Sequence, residues 1–100
     1  MVKLHYATKA TLVIGFLFLL ASCSTKEDSE FKSQYIAYKA LFVDGGRVVD
    51  TGNDDVSHSE GQGYGMLFAV AANDKDTFDA LWHWTQRTLM REDGLFSWRY

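Results

Sequence analysis

The stretch SHSEGQGYGM, residues 57–66, sets three glycines at alternate positions beside one carboxylate, Glu60. Each glycine costs a helix about 1 kcal/mol relative to alanine, so a run of them at a helix start needs a compensating reason. Because glycine has no Cβ, the run lets another backbone or a ligand approach the turn closely. Ser59 and Gln62 have the spacing of a capping box, which predicts a helix that begins here and continues to about Asn73.

Apolar residues recur at helical spacing on both sides of this stretch. On the N-terminal side they predict a helix from about Ser29 to Val43, stopped by Asp44 and two glycines. On the C-terminal side they predict a third helix capped by Asn73 or Asp74, and so short a connection favours an antiparallel helix pair. The apolar face of this third helix comprises Phe78, Leu81, Trp82, Thr85 and Leu89.

Two shorter segments are predicted to lie outside the helices. Residues 47–50 have the composition of a short extended segment, and the following residues to Ser57 are rich in turn formers. After the third helix Phe96, Trp98 and Tyr100 alternate, which places three aromatic rings on one side if the segment is extended.

The N-terminal 22 residues predict a lipoprotein signal peptide. Residues 10–21 form a weakly polar to apolar stretch that is too short to span a bilayer, which takes a helix of roughly 20 residues. The stretch ends in Leu-Ala-Ser-Cys, which resembles the lipobox of bacterial lipoproteins and predicts lipidation of Cys23. We expect an exported protein, lipid-anchored to the bacterial cell envelope (outer membrane or periplasmic side) or secreted.

The rest of the chain is predicted to form a tether, residues 23–30, and one folded part, residues 31–100. Removing the first 22 residues leaves eight basic and thirteen acidic side chains, a formal charge of −5, which argues against a nucleic-acid partner. The 15% aromatic content fits a sugar-binding surface and an aromatic-rich core equally well. About 70 residues is marginal for one core, so we expect a fragment of a longer protein.

Glu60 has two interpretations on spacing alone. As the general acid of a glycosidase it would need a groove open to a bulky sugar chain, and the glycines leave that room. A helix N-terminus, however, stabilises the ionised carboxylate, so desolvation or a second carboxylate would have to keep the acid protonated. The alternative, which composition and spacing alone favour, is that Glu60 only stabilises the helix start. A phosphate loop is disfavoured because its spacing and lysine are missing.

A resemblance extends this argument. SEGQGYGM, LFAVAAND, TFDALWHWT and DGLFSWRY closely resemble the N-terminal part of glycoside hydrolase family 8, particularly the secreted cellulases associated with bacterial cellulose synthesis. The resemblance runs from about Tyr35 to Tyr100. It implies an all-α fold, the N-terminal part of an (α/α)6 barrel or toroid that is incomplete in this chain. The implied activity is inverting acid/base hydrolysis of β-1,4-linked glucan, without a cofactor.

The resemblance also assigns residues. It places Glu60 at the catalytic proton donor and Trp98 at a position whose indole stacks on a sugar ring. Tyr64, one turn beyond Glu60, is a weaker substrate-binding candidate. The catalytic base of the family is a downstream aspartate that this chain does not contain, so the 100-residue chain is predicted to lack glycosidase activity.

The remaining candidates are assigned no catalytic role. Trp82 is expected in the core, Trp84 at a helix contact, and His58 is interpreted as a loop histidine. The local carboxylates are interpreted as solvated loop groups without a metal site. They are Asp44, Asp50, Asp54 and Asp55.

The expected partners are a β-linked polysaccharide or oligosaccharide, the membrane through the lipid anchor only, and the cellulose synthesis machinery. The substrate stays open among cellulose, mixed-linkage glucan, xylan and chitosan. Two other hypotheses also stay open: a non-catalytic carbohydrate-binding or envelope scaffolding lipoprotein, and a small helical lipoprotein complete at 100 residues.

Overall fold

The computed structural model describes residues 25–100, so the predicted signal peptide and Cys23 lie outside the described residues. Residues 25–33 are helical and belong to a first compact unit, which ends at Ser33. The second unit, Gln34–Tyr100, holds the elements discussed below. Between residues 25 and 100 no helix is both long and apolar enough to cross a bilayer. The elements of this second unit in chain order are α1 (residues 34–42), β1 (Val43–Asp44), β2 (Arg47–Val48), α2 (Ser59–Ala71) and α3 (Lys75–Thr88).

β1 and β2 form a short antiparallel hairpin closed by Gly45 and Gly46. Both glycines have positive φ, 56° and 87°, as in a two-residue type I′ turn. A Cβ on Gly46 would lie 2.7 Å from the backbone oxygen of Ala80, so only glycine lets the turn sit this close to α3.

Three predicted helix or strand boundaries differ from the structure by a few residues. Val43, predicted as the last helical residue, begins β1 because its backbone pairs with Val48 across the glycine turn. The predicted extended segment 47–50 forms a regular strand only in Arg47–Val48, and Asp50 instead makes an isolated bridge. Residues 25–30, assigned to a tether from their polar composition, are helical.

The connection between α2 and α3 is built from two adjoining caps. Asn73 has a left-handed backbone (φ 55°), its N–H donates to the oxygen of Val70, and the N–H of Asp74 donates to the oxygen of Ala69. This is the Schellman pattern of a helix C-terminus. Asp74 then caps α3, because its carboxylate accepts from the backbone N–H of Thr77 at 3.0 Å. Capping by Asp74 is therefore confirmed, and α2 and α3 pack against each other.

The core is small and lies between α2, α3 and the hairpin. Leu81 and Leu89, from the predicted apolar face of α3, are fully buried, and Thr85 lies between them. Trp82, predicted in the core, is half-buried and packs on the Phe96 ring, with centroids 6.1 Å apart. The buried side chains of the described residues also include Tyr35, Ala69, Ser57 and Gln62.

Candidate active site

Glu60 is the second residue of α2, and its side chain is exposed. Within residues 25–100 it makes no side-chain hydrogen bond or ion pair. The predicted capping box is wrong, because the helix is preceded by His58, which provides no side-chain cap. Ser59 lies inside the helix, and its backbone N–H donates to the oxygen of Trp98 at 3.0 Å.

Gln62 has a role that the sequence analysis missed. Its side chain is fully buried, accepts from the backbone N–H of Val48, and donates to the oxygen of Gly46 at 3.1 Å and to Thr85 Oγ1 at 2.9 Å. One amide thus joins α2, the hairpin and α3. No apolar stripe marks this position in the sequence, because the buried residues of α2 are Gln62, Gly65 and Ala69.

The three glycines beside Glu60 differ in the space that a side chain would find at each position. A Cβ on Gly65 would lie 2.8 Å from Val48 Cγ2 and 3.0 Å from Leu81 Cδ1, so this glycine admits protein, not a ligand. A Cβ on Gly61 would make an ordinary contact of 3.7 Å with Val48, and one on Gly63 would meet nothing within 4 Å. The space expected around Glu60 therefore lies at Gly61 and Gly63.

The C-terminal segment is pinned beside the start of α2. The N–H of Tyr100 donates to the oxygen of Ser57 at 2.8 Å, and His58 forms an isolated antiparallel bridge with Arg99. Together with the bond from Ser59, these contacts bring Trp98 next to the turn that carries Glu60. Sequence proximity could not show this, because the two segments are some forty residues apart.

The three rings that alternate in this segment each have a separate partner. Phe96 packs on Trp82, and Tyr100 meets Trp84 edge to face with centroids 5.4 Å apart. Trp84 is thus half-buried against the non-helical C-terminal segment, whereas the sequence analysis expected it at a helix contact.

The third ring, Trp98, remains 67% exposed, and the imidazole of His58 stacks on one of its faces at a centroid distance of 5.5 Å and an interplanar angle of 17°. The indole therefore offers a free apolar surface close to Glu60.

Tyr64, the weaker substrate-binding candidate, lies one turn along α2 from Glu60. Its ring is 53% exposed and stacks on Phe68 with centroids 6.4 Å apart. The exposed apolar face of α2 continues through Leu67 and Val70. Tyr64 thus belongs to an open apolar face that starts at the candidate acid.

A pocket of about 260 Å³ opens on the hairpin side of the α2 start. Two of its lining residues, His58 and Gly61, lie on either side of Glu60 in the sequence. Its other lining residues are Phe42, Val48, Val49, Asp50 and Thr51.

Of the four aspartates that were interpreted as solvated, Asp44 is exposed in β1, and the other three lie in the loop before α2. Asp54 and Asp55 are exposed and have left-handed backbones (φ 56° in both), and Arg47 holds the loop by donating to the oxygen of Asp55 at 2.8 Å. Asp50 differs, because its Oδ2 lies 3.4 Å from His58 Nε2. In the part of the chain that the structure describes, no three His, Cys, Asp or Glu side chains are grouped so as to hold a metal ion.

The strongest electrostatic effect lies at the other end of α2, on Asp74. The Lys39 ammonium, 2.6 Å away, contributes most to holding the pKa of this carboxyl well below its usual range. Hydrogen bonds from the backbone and hydroxyl of Thr77 add to the effect. Conversely, the bond to Asp74 raises the pKa of Lys39. Asp74 is therefore fixed as an ionised structural group.

Comparison with known proteins identifies the family to which this chain belongs. A sequence model of glycosyl hydrolases family 8 matches residues 1–100, and the chain belongs to this family. Its fold is accordingly all-α and forms part of an (α/α)6 barrel, as the sequence analysis predicted.

Two curated relatives and one solved structure show how much of the family the chain covers. It is 55% identical over 65 residues to an endoglucanase of Cellulomonas uda, covering 63% of this chain and 18% of that protein. It is 51% identical over 69 residues to a probable endoglucanase of Novacetimonas hansenii, covering 67% and 20%. A family 8 endo-β-1,4-glucanase from an Achatina fulica gut metagenomic library superposes with a TM-score of 0.64 at 57% identity, covering 66% and 22%. The chain thus spans about a fifth of the length of these proteins.

Proposed function

We propose that this chain is part of a glycosidase that cleaves β-1,4-linked glucan of the cellulose type, with Glu60 as the proton donor. The observation that carries the proposal is the setting of Glu60: an exposed carboxylate without hydrogen-bond partners in residues 25–100, next to Ser59, whose backbone N–H donates to the oxygen of the largely exposed Trp98. The endoglucanase relatives support the reaction class, and the solved endo-β-1,4-glucanase supports the type of linkage.

The proposed chemistry is a single displacement with inversion. The protonated Glu60 carboxyl donates its proton to the glycosidic oxygen as the bond to the anomeric carbon breaks, while a water molecule attacks that carbon from the opposite face. A second carboxylate takes the proton of the water. We assign that base to an aspartate outside this chain.

Substrate binding in this proposal uses the apolar surfaces around Glu60. The free indole face of Trp98 stacks on a sugar ring, because the ring's C–H face and the indole are both flat and apolar. Tyr64 extends the same surface along α2. Since the start of a helix favours the ionised carboxylate, neighbours outside residues 25–100 have to favour the protonated Glu60 that the reaction needs.

The direct test is Glu60→Gln in the complete gene product. Because general acid catalysis contributes about 10²- to 10⁴-fold, release of reducing ends from carboxymethylcellulose should fall by that factor, with an unchanged circular dichroism spectrum. Glu92→Gln, an exposed glutamate in the turn after α3, is the matched control and should keep full activity. Near-normal hydrolysis by Glu60→Gln would contradict the assignment.

Two further readouts refine the proposal. Proton NMR of the first product formed should show the inverted, α-anomeric sugar. Parallel assays on cellulose derivatives, mixed-linkage glucan, xylan and chitosan should give the highest turnover on the cellulose derivatives. A higher turnover on xylan or chitosan would change the proposed substrate but not the proposed role of Glu60.

We also propose that Cys23 carries a lipid that anchors the protein to the cell envelope, close to the cellulose synthesis machinery. The support is the sequence of the first 23 residues alone. Cys23→Ser should move the protein from the membrane fraction to the soluble fraction and abolish incorporation of labelled palmitate. Membrane association that survives this substitution would remove the anchor from the proposal.

A further inference from the structure

His58, which the sequence analysis left without a role, lies between two groups of the candidate site. One face of its imidazole stacks on Trp98, and its Nε2 lies 3.4 Å from the carboxylate of Asp50. Its side chain is 23% exposed, whereas Trp98 is 67% exposed. The histidine is thus largely enclosed, and the tryptophan that it touches is largely free.

Backbone contacts fix the position of the Trp98 main chain, but they do not fix the rotamer of its side chain. The bond from Ser59 to the oxygen of Trp98 and the bridge between His58 and Arg99 hold the main chain. Among residues 25–100, the stack on His58 is the one ring contact that Trp98 makes. An indole this exposed would otherwise sample several rotamers.

Asp50 in turn fixes the imidazole. Its backbone N–H donates to the oxygen of Val56 at 2.8 Å, and its Oδ1 accepts from the N–H of Gly52 at 3.3 Å. The carboxylate is therefore held by its own loop, and its second oxygen faces His58 Nε2. Asp50, His58 and Trp98 form a chain of contacts that runs from the hairpin loop to the site.

We propose that Asp50 and His58 are positioning residues that hold the Trp98 indole ready to stack on a β-linked glucose unit. The inference rests on the proposed function, since it assumes that Trp98 binds sugar. A platform held in its binding rotamer loses less conformational entropy when the ligand binds, so the pair acts on affinity, not on the chemical step.

The experiment is a double-mutant cycle with cellohexaose in the complete gene product. His58→Ala should raise KM about 3- to 10-fold with kcat within about twofold, the range expected from losing one aromatic stack. His58→Phe, which retains a ring, should recover most of the loss, whereas His58→Asn should not. Asp50→Asn should raise KM about twofold, because the stack itself remains.

The decisive comparison uses Trp98→Ala as the second background. If His58 acts through Trp98, His58→Ala should change KM no further once the indole is absent. A merely structural His58 would lower the thermal midpoint and raise KM by the same factor in both backgrounds. His83→Ala, an exposed histidine on α3, is the control and should match the wild type.

The outcomes separate this inference from the function on which it rests. Equal effects of His58→Ala in both backgrounds, or an unchanged KM, would overturn the positioning role while leaving the glycosidase assignment in place. Should the wild type bind cellohexaose without cleaving it, the glycosidase assignment fails, and the same series is scored on Kd by tryptophan fluorescence. Absence of both turnover and binding would overturn the two together.

Discussion

Two carboxylates stand at the two ends of α2 in opposite settings. Asp74, just past the C-terminal end, accepts hydrogen bonds from Lys39, Thr77 and the Tyr35 hydroxyl. Glu60, in the first turn, is exposed and has no such donor within residues 25–100. The Asp74 carboxylate is thus fully hydrogen-bonded within the fold, whereas the Glu60 carboxylate has no hydrogen-bond donor among the described residues.

The difference shows how one helix supports a structural and a chemical group. A carboxylate surrounded by donors is held ionised and cannot deliver a proton, so the role of Asp74 is structural: it caps α3 and joins α1 to the α2–α3 connection. Because Asp74 and the buried Gln62 hold the helix, Glu60 need not contribute to stability. The free energy of unfolding and the catalytic activity should therefore respond to different residues.

The largest loss of stability should come from Gln62→Ala. The substitution leaves Val48 N–H and the Gly46 oxygen without their buried partner and opens a cavity, which together should cost about 3 kcal/mol. Urea unfolding of the complete gene product measures the effect as a lower midpoint. Gln86→Ala, an exposed glutamine on α3, should stay within about 0.5 kcal/mol, and an equal loss there would contradict the role of Gln62.

Asp74→Ala should lower the free energy of unfolding by about 2 kcal/mol, because it removes a helix cap and the partner of a partly buried Lys39. The same urea titration tests it. Asp76→Ala, an aspartate in the first turn of the same helix, removes the interaction with the helix dipole and minor attractions to Lys39 and Lys75, and should cost less than about 1 kcal/mol.

The contribution of Asp74 should also depend on pH. Its pKa is lower in the folded than in the unfolded protein, so its stabilisation is present above the unfolded value of about 4 and is lost as the pH falls through the folded value. The difference in thermal midpoint between wild type and Asp74→Asn should therefore be largest near pH 6 and shrink towards pH 2. A difference that grows on acidification would reverse the sign of this linkage.

Alanine substitutions of the glycines beside Glu60 should have opposite effects on stability at different positions. Gly65→Ala should destabilise by about 1 kcal/mol, since crowding of Val48 and Leu81 outweighs the better helix propensity of alanine. Gly63→Ala meets open space and should stabilise by about 0.5 to 1 kcal/mol. Thermal midpoints of the two variants should move in opposite directions, and an upward shift for Gly65→Ala would show that Gly65 tolerates a side chain.

The smallest effect on stability should belong to Glu60→Gln. Because Glu60 has no hydrogen-bond partner in residues 25–100, the substitution removes only its interaction with the helix dipole and should lower the free energy of unfolding by about 0.5 kcal/mol. Calorimetry on the sample used for the activity assay checks this. A loss comparable to that of Asp74→Ala would make Glu60 a structural residue.

Local signals account for the features that the sequence analysis predicted correctly. The apolar face of α3 and capping by Asp74 both follow from residues within a few positions of each other. The predicted capping box does not form because both of its residues bind distant partners. The backbone N–H of Ser59 donates to the oxygen of Trp98, and the side chain of Gln62 hydrogen-bonds to the backbone of the hairpin. Val43 lies outside the helix that was predicted to include it, because its backbone pairs with that of Val48 in the next strand.

The sequence by itself determined the helices, the glycine turn and the family, because backbone preferences and motif residues are properties of neighbours in the chain. Only the tertiary structure decided what those residues face. It buried Gln62, kept Glu60 exposed and set His58 between Asp50 and Trp98, three residues that span nearly fifty positions. Such contacts depend on packing between α2, α3, the hairpin and the C-terminal segment, and no local pattern encodes that packing.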